Sequence, residues 1–262
     1  MSDPRGTGPN YPFLIASSVV VVAALVAVLV GVNHAATVDV NRTTPTATLA
    51  PTSTPTATPA PSQVPFASCS SKTFGAPLQP LDAPADPHKY SAAPATTIDL
   101  TKLYEATITT SKGQIVLCLQ PNLAPVTVNV FVTLIRNHYY DGIPFHRVCP
   151  NPADSSCGGS LAIAQGGDPN CTGNVSATTC GQGGPGFQFK DEPVLQNYVT
   201  GAVAMANSGA NTNGSQFFIC TGDDSSLPHS YNLFANVASG LSVAQQLAKG
   251  DVMQTVTVAE SQ

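Results

Sequence analysis

Three short runs in this sequence each set a polar side chain two residues from an apolar one: Phe145 and Arg147 in FHRV, Ile163 and Gln165 in LAIAQGGD, Gln216 and Phe218 in SQFFIC. Alternate side chains of an extended strand share a face, so each run presents one polar and one apolar group to the same surface. One guanidinium, two carboxamides and an apolar patch supply no general base, no nucleophile and no metal cluster. Hydrolysis and phosphoryl transfer need at least one of these. The set suits a reaction whose barrier is conformational. It calls for no cofactor and no metal.

These residues need strands to hold them, and the sequence supplies many short ones. YEATITTSKGQIVLCLQP is two alternating runs around a Ser-Lys-Gly turn, the pattern of a β-hairpin. In APVTVNVFVTLIRNHYYDG the period changes: Val130, Phe131, Leu134 and Ile135 fall at helical spacing, with Pro125 where a helix starts and Gly142 beyond its end. IPFHRV, LAIAQGG, GAVAMA, SQFFICT, YNLFANV and MQTVTVAE read as further strands, and SVAQQLAKG as a second short helix. Many short strands with two helices predict a mainly β fold, a closed eight-stranded antiparallel barrel capped by two α-helices.

The region before this is different in kind. Phe13 to Val32 is twenty residues without a charge, long enough at about 1.5 Å per residue to cross a hydrocarbon core of roughly 30 Å. The run is longer than the core of a cleavable signal peptide and has only Arg5 before it, so it reads as a retained transmembrane helix after a tail of residues 1–12. Residues 33–95 are rich in Thr, Pro and Ala and read as a disordered linker, whose last part, 66–95, adds Phe66, Phe74 and Tyr90 and is expected to be a loosely structured lead-in that packs on the domain near its end; the globular domain is expected at 96–262. With 10% charged residues and a net charge of −5, there is no basic stripe for nucleic acid. Seven cysteines behind an apolar segment point to an oxidising compartment. Cys149 with Cys157, and Cys171 with Cys180, are expected to close two small loops as disulfides; free thiols are a second reading and zinc a third, disfavoured because no C-x-x-C is present and the nearest histidine is His146. Cys69 is expected to be the odd one out.

In order, YYDGIPFHRV, QGGD, GGPGFQFKDE, GAVAMANSGANTNGSQFFI and LFANV closely resemble the cyclophilin family of peptidyl-prolyl cis-trans isomerases, over about residues 96–260. The resemblance implies an eight-stranded barrel with two capping helices and rotation about X-Pro bonds in proline-containing segments of client proteins. It implies that Arg147 is the catalytic arginine, with Phe145 beside it, and that Gln165 holds the arginine. Asn207, flanked by Ala206 and Ser208, would pair its backbone with the substrate chain. Gln216 would contact substrate, Phe218 would floor the proline pocket with Ile163, Leu227 and Tyr231 as walls, and Gly183 would stand at its rim. The family's aromatic and methionine before QGGD are here Ala162 and Ile163, its tryptophan is Ser226, and its frequent histidine is Tyr231. The expectation is a membrane-anchored bacterial enzyme, monomeric in its catalytic domain, facing outward from the cytoplasmic membrane and assisting exported proteins. The alternative is a proline-binding chaperone module with little turnover.

Overall fold

The structure is a computed structural model, and it describes residues 65–150, 157 and 161–262. The segments read as tail and transmembrane helix lie outside the described residues, as does most of the linker. Among the described residues no helix is long and apolar enough to cross a membrane.

In chain order the elements are β1 (Tyr104–Thr110), β2 (Gly113–Leu119), α1 (Pro125–Arg136), β3 (Arg147–Val148), β4 (Ile163–Gly166), β5 (Ala202–Met205), β6 (Phe217–Cys220), β7 (Leu233–Ser239), α2 (Leu241–Ala244) and β8 (Thr255–Glu260). All eight strands form one sheet, in the order β3-β4-β6-β5-β7-β2-β1-β8, with antiparallel neighbours. The expected hairpin is β1–β2, its turn made at Gly113 with φ 130°. Helix α1 starts at Pro125, where a missing N–H costs nothing. Ala124 offers no side-chain cap, and the Glu192 carboxylate takes the role from a distance, accepting from the backbone N–H of Val126 (2.9 Å) and Thr127 (2.8 Å). The second helix is a single turn, shorter than its sequence suggested.

The barrel is open, which corrects the expectation of closure. Edge strands β3 and β8 share no ladder. Instead, one bridge at Pro144 and Val252 and four backbone bonds join residues 142–145 to 250–253. Strand β3 is two residues long and Pro144 just before it has no N–H to donate, so a ladder cannot run through this seam. The concave face still encloses the main core, in which Phe131 packs edge-on to Phe217 and against Tyr140 and Phe234.

Residues 65–95, assigned to the linker from composition, lie on the sheet. Gly75 and Leu78 donate to the carbonyls of Glu260 and Val258 on β8, and Tyr90 packs edge-on to Phe187. Cys69 is bonded to Cys118 of β2, and the free cysteine is Cys220, buried in β6. This overturns the choice of Cys69 as the unpaired thiol: the segment around it is docked, not loose. Cys149–Cys157 and Cys171–Cys180 are disulfides, as expected.

Candidate active site

Register brings the chemical groups together. Arg147 lies opposite Gln165 across β3 and β4, Gln165 opposite Phe218 across β4 and β6, and Phe218 opposite Ala204 across β6 and β5. Directly paired residues project from the same face with neighbouring strands about 4.8 Å apart, so this row crosses the convex side of the sheet. Ala164, Met205, Phe217 and Ile219 alternate with it and fill the core. On the convex side Phe218, 4% exposed, gathers Ile163, Leu227 and Tyr231 into an apolar hollow. Tyr231 stands edge-on to Phe218, 5.6 Å between centroids. Tyr198 braces both rings from behind: its hydroxyl donates to the Tyr231 carbonyl (2.9 Å) and accepts from the Tyr231 N–H (3.0 Å). Burial pushes the Tyr198 phenol up to about 12, so it stays a neutral donor.

Beside the hollow is a polar trough of about 530 Å³, lined among others by Gln165, Gly183, Ala206, Asn207, Ser208 and Gln216. The Gln216 amide donates to the carbonyls of Gly181 (3.1 Å) and Gly183 (2.9 Å), and its own oxygen accepts from the Gln165 amide (3.1 Å). Gln165 is thus oriented by a chain that begins in the glycine-rich loop. That loop is pinned by Asp168, whose carboxylate accepts from the N–H of Asn170, Gly181 and Gly183. Only glycine fits at Gly183: an added Cβ would lie 2.1 Å from Asp168 Oδ1. On the opposite wall, the Ala206 N–H donates to the Gln216 carbonyl and the Ser208 N–H to Thr212 Oγ1. The Asn207 side chain is tied to the Ser230 carbonyl (2.8 Å), and its backbone groups pair with nothing among the described residues. A peptide backbone laid in the trough would find them open.

Eleven of the twelve residues singled out from sequence therefore fall on one surface: ten line a hollow and a trough joined through Gln165 and Ala206, and Arg147, exposed, stands opposite Gln165 across the strands. Phe145 does not. It is fully buried in the main core, edge-on to Phe217 at 6.4 Å. The alternation that put it beside Arg147 fails because His146 donates to the Gln165 carbonyl while Arg147 is the residue paired with Gln165. Two residues thus oppose one, and such a bulge turns the preceding side chain to the other face. Sequence reasoning also missed Asp168, Tyr198 and Asp224. Asp168 stood in the quoted QGGD, and its place before a proline and a glycine-rich loop was the available signal. Asp224 is buried and accepts from the Ala162 N–H (2.9 Å), fixing the strand entry behind the hollow; burial raises its carboxyl above the ordinary range. Nothing in its neighbourhood in sequence marked it.

Comparison with known proteins places the chain in a family. The family model for cyclophilin type peptidyl-prolyl cis-trans isomerase/CLD matches residues 105–261. A peptidyl-prolyl cis-trans isomerase of Helicobacter pylori is 37% identical over 168 residues, 62% of this chain and 91% of that protein. A peptidyl-prolyl cis-trans isomerase-like 1 of Gibberella zeae is 36% identical over 140 residues, 53% of this chain and 77% of that one. Among solved structures, a Cryptosporidium parvum cyclophilin aligns with a TM-score of 0.49 at 24% identity, covering 60% of this chain and 97% of its own. With the family model spanning more than half of its length, the chain belongs to the cyclophilins and is a peptidyl-prolyl cis-trans isomerase.

Proposed function

We propose that this isomerase works outside the cytoplasmic membrane, held there by the apolar segment at residues 13–32, and rotates X-Pro bonds in exported proteins as they fold. The three disulfides support an oxidising compartment, and the apolar run supports the anchor.

The observation that carries the catalytic reading is the cross-strand row of Arg147, Gln165 and Phe218. Partial double-bond character sets a rotation barrier of about 20 kcal/mol in an amide. Before proline the two isomers are close in energy, so the barrier and not the equilibrium limits folding. The hollow over Phe218 grips the proline ring. The Asn207 backbone pairs with the residues before it, so one end of the bond is fixed against the other. The Arg147 guanidinium then donates toward the prolyl nitrogen, stabilising its pyramidal form and weakening amide resonance. Gln165, its N–H already given to Gln216, offers its oxygen to orient that guanidinium. Interactions that strengthen as the bond twists lower the barrier; equal binding of planar and twisted forms would not.

The test is exchange of an Ala-Pro peptide with the full-length protein and its Arg147→Ala variant. Loss of one such electrostatic donor should lower kcat/KM about 100- to 1000-fold. Undiminished acceleration by the variant would overturn the role of Arg147. The second reading, a proline-binding module with little turnover, draws on the hollow itself: Ala162 and Ile163 leave its floor without a second ring. Peptide binding by wild-type protein without acceleration would establish that reading. Placement is checked separately: the full-length chain should sediment with membranes and be cleaved by protease added outside, and intact recovery in the soluble fraction would refute it.

A further inference from the structure

The loop that clasps Gln216 is closed at its base by the Cys171–Cys180 disulfide. A third potential ligand stands beside that bridge: a ring nitrogen of His146 and the two sulfurs all lie within 4.8 Å of one another. His146 is 8% exposed, and its Nδ1 has no hydrogen-bond partner among the described residues. A buried polar atom left unpaired costs free energy, and neither the fold nor the substrate surface accounts for this one. In a tetrahedral zinc site with Zn–S near 2.3 Å, neighbouring ligand atoms are about 3.8 Å apart. The histidine nitrogen, no more than 4.8 Å from either sulfur, is thus at most about an ångström too far, while the sulfurs, covalently joined in the bridge, must separate to about that spacing once it opens.

We propose that, when reduced, Cys171 and Cys180 form a Zn²⁺ site with His146, water completing the tetrahedron. A dithiol is a sufficient reductant. Its thiolate attacks the half-buried Cys180 sulfur, Cys171 leaves as thiolate, and the second thiol of the reductant resolves the mixed disulfide. Two electrons and two protons pass to the pair, and the reductant leaves as its own disulfide. Zn²⁺ then displaces the two thiol protons to solvent, and two thiolates neutralise its charge. The rim loop is thereby held by a covalent bridge in one redox state and by a metal in the other, and the bonds from the Gln216 amide to the Gly181 and Gly183 carbonyls persist in both.

The test uses the full-length protein, reduced with a water-soluble phosphine that is then removed, and titrated with Co²⁺ as a spectroscopic stand-in. One equivalent should bind, with a thiolate-to-metal charge-transfer band and tetrahedral d–d bands that Zn²⁺ abolishes. The oxidised protein should bind none. A Cys171→Ser/Cys180→Ser variant should lose the band, and His146→Ala should weaken affinity about tenfold or more. A Cys149→Ser/Cys157→Ser variant keeps all three ligands and must keep the band. No band in the reduced wild type, a band surviving in the Cys171/Cys180 variant, or affinity indifferent to His146→Ala would each overturn the proposal.

Discussion

Replacing Gly183 by alanine isolates the chain of contacts that ends at Gln165. The new methyl would sit 2.1 Å from Asp168 Oδ1 and 2.8 Å from the Asn170 side chain. The loop must therefore retreat by about an ångström, because ordinary contacts begin near 3.4 Å. Such a retreat breaks the 2.9 Å bond from the Gly183 N–H to Asp168 and the 2.9 Å bond from Gln216 to the Gly183 carbonyl. A bond to a charged acceptor contributes about 1.5–3 kcal/mol and a neutral one about 1 kcal/mol, and partial rescue by water lowers the total to about 2–3 kcal/mol. For a domain of this size the corresponding fall in Tm is about 5–10 °C. Gln216, held then only through Gly181, orients Gln165 less well, and kcat/KM for an Ala-Pro peptide should fall about tenfold. Calorimetry and a coupled peptide assay read the two effects. If Gly183→Ala keeps both its Tm and its kcat/KM, the loop does not position the amides and the reasoning fails.

Phe218→Ala should abolish grip on the proline ring and destabilise the domain by about 3 kcal/mol, seen as an unsaturable peptide titration and a lowered denaturant midpoint; normal KM would contradict the hollow's assignment. Opening the Cys69–Cys118 bridge with Cys69→Ser/Cys118→Ser releases a 49-residue separation and should cost about 4 kcal/mol, with new proteolytic cuts within residues 65–78 as the readout. The Lys102 side chain beside Glu260 holds its carboxyl below the ordinary 4.5. A depressed folded pKa means the contribution is complete above the unfolded value and is lost as pH falls through the folded one. Glu260→Gln should therefore lower Tm more at pH 7 than in acid below the ordinary carboxylate range, and an equal loss at both would refute the pairing. With exposed Ser226 in place of the family's tryptophan, cyclosporin should inhibit weakly, and nanomolar inhibition would contradict this.

Most of the convex surface was legible in the sequence because strand alternation is a local rule, and Gln165 with Ile163 and Gln216 with Phe218 obey it. Phe145 was misplaced where the rule lapses, at a bulge created by a hydrogen bond from His146 to Gln165, a residue of the next strand that lies beyond an insertion. Helix α1 was readable from its period and from Pro125, but its cap, Glu192, lies far along the chain and left no local mark. Closure was over-read: counting strands cannot reveal that the last two edges meet at a proline. Cysteine pairs eight or nine residues apart were visible as loops, whereas Cys69 met Cys118 only because residues assigned to a linker by composition dock on the sheet.

That docked segment has a mechanical consequence. Tension applied to the chain upstream of Cys69 enters the domain at β2, a strand flanked on both sides by neighbours, and not at the first residue of β1. The strands that carry Arg147, Gln165 and Phe218 lie at the other end of the sheet from the β1–β8 edge. A tethered molecule built this way can be tugged without its working surface being peeled.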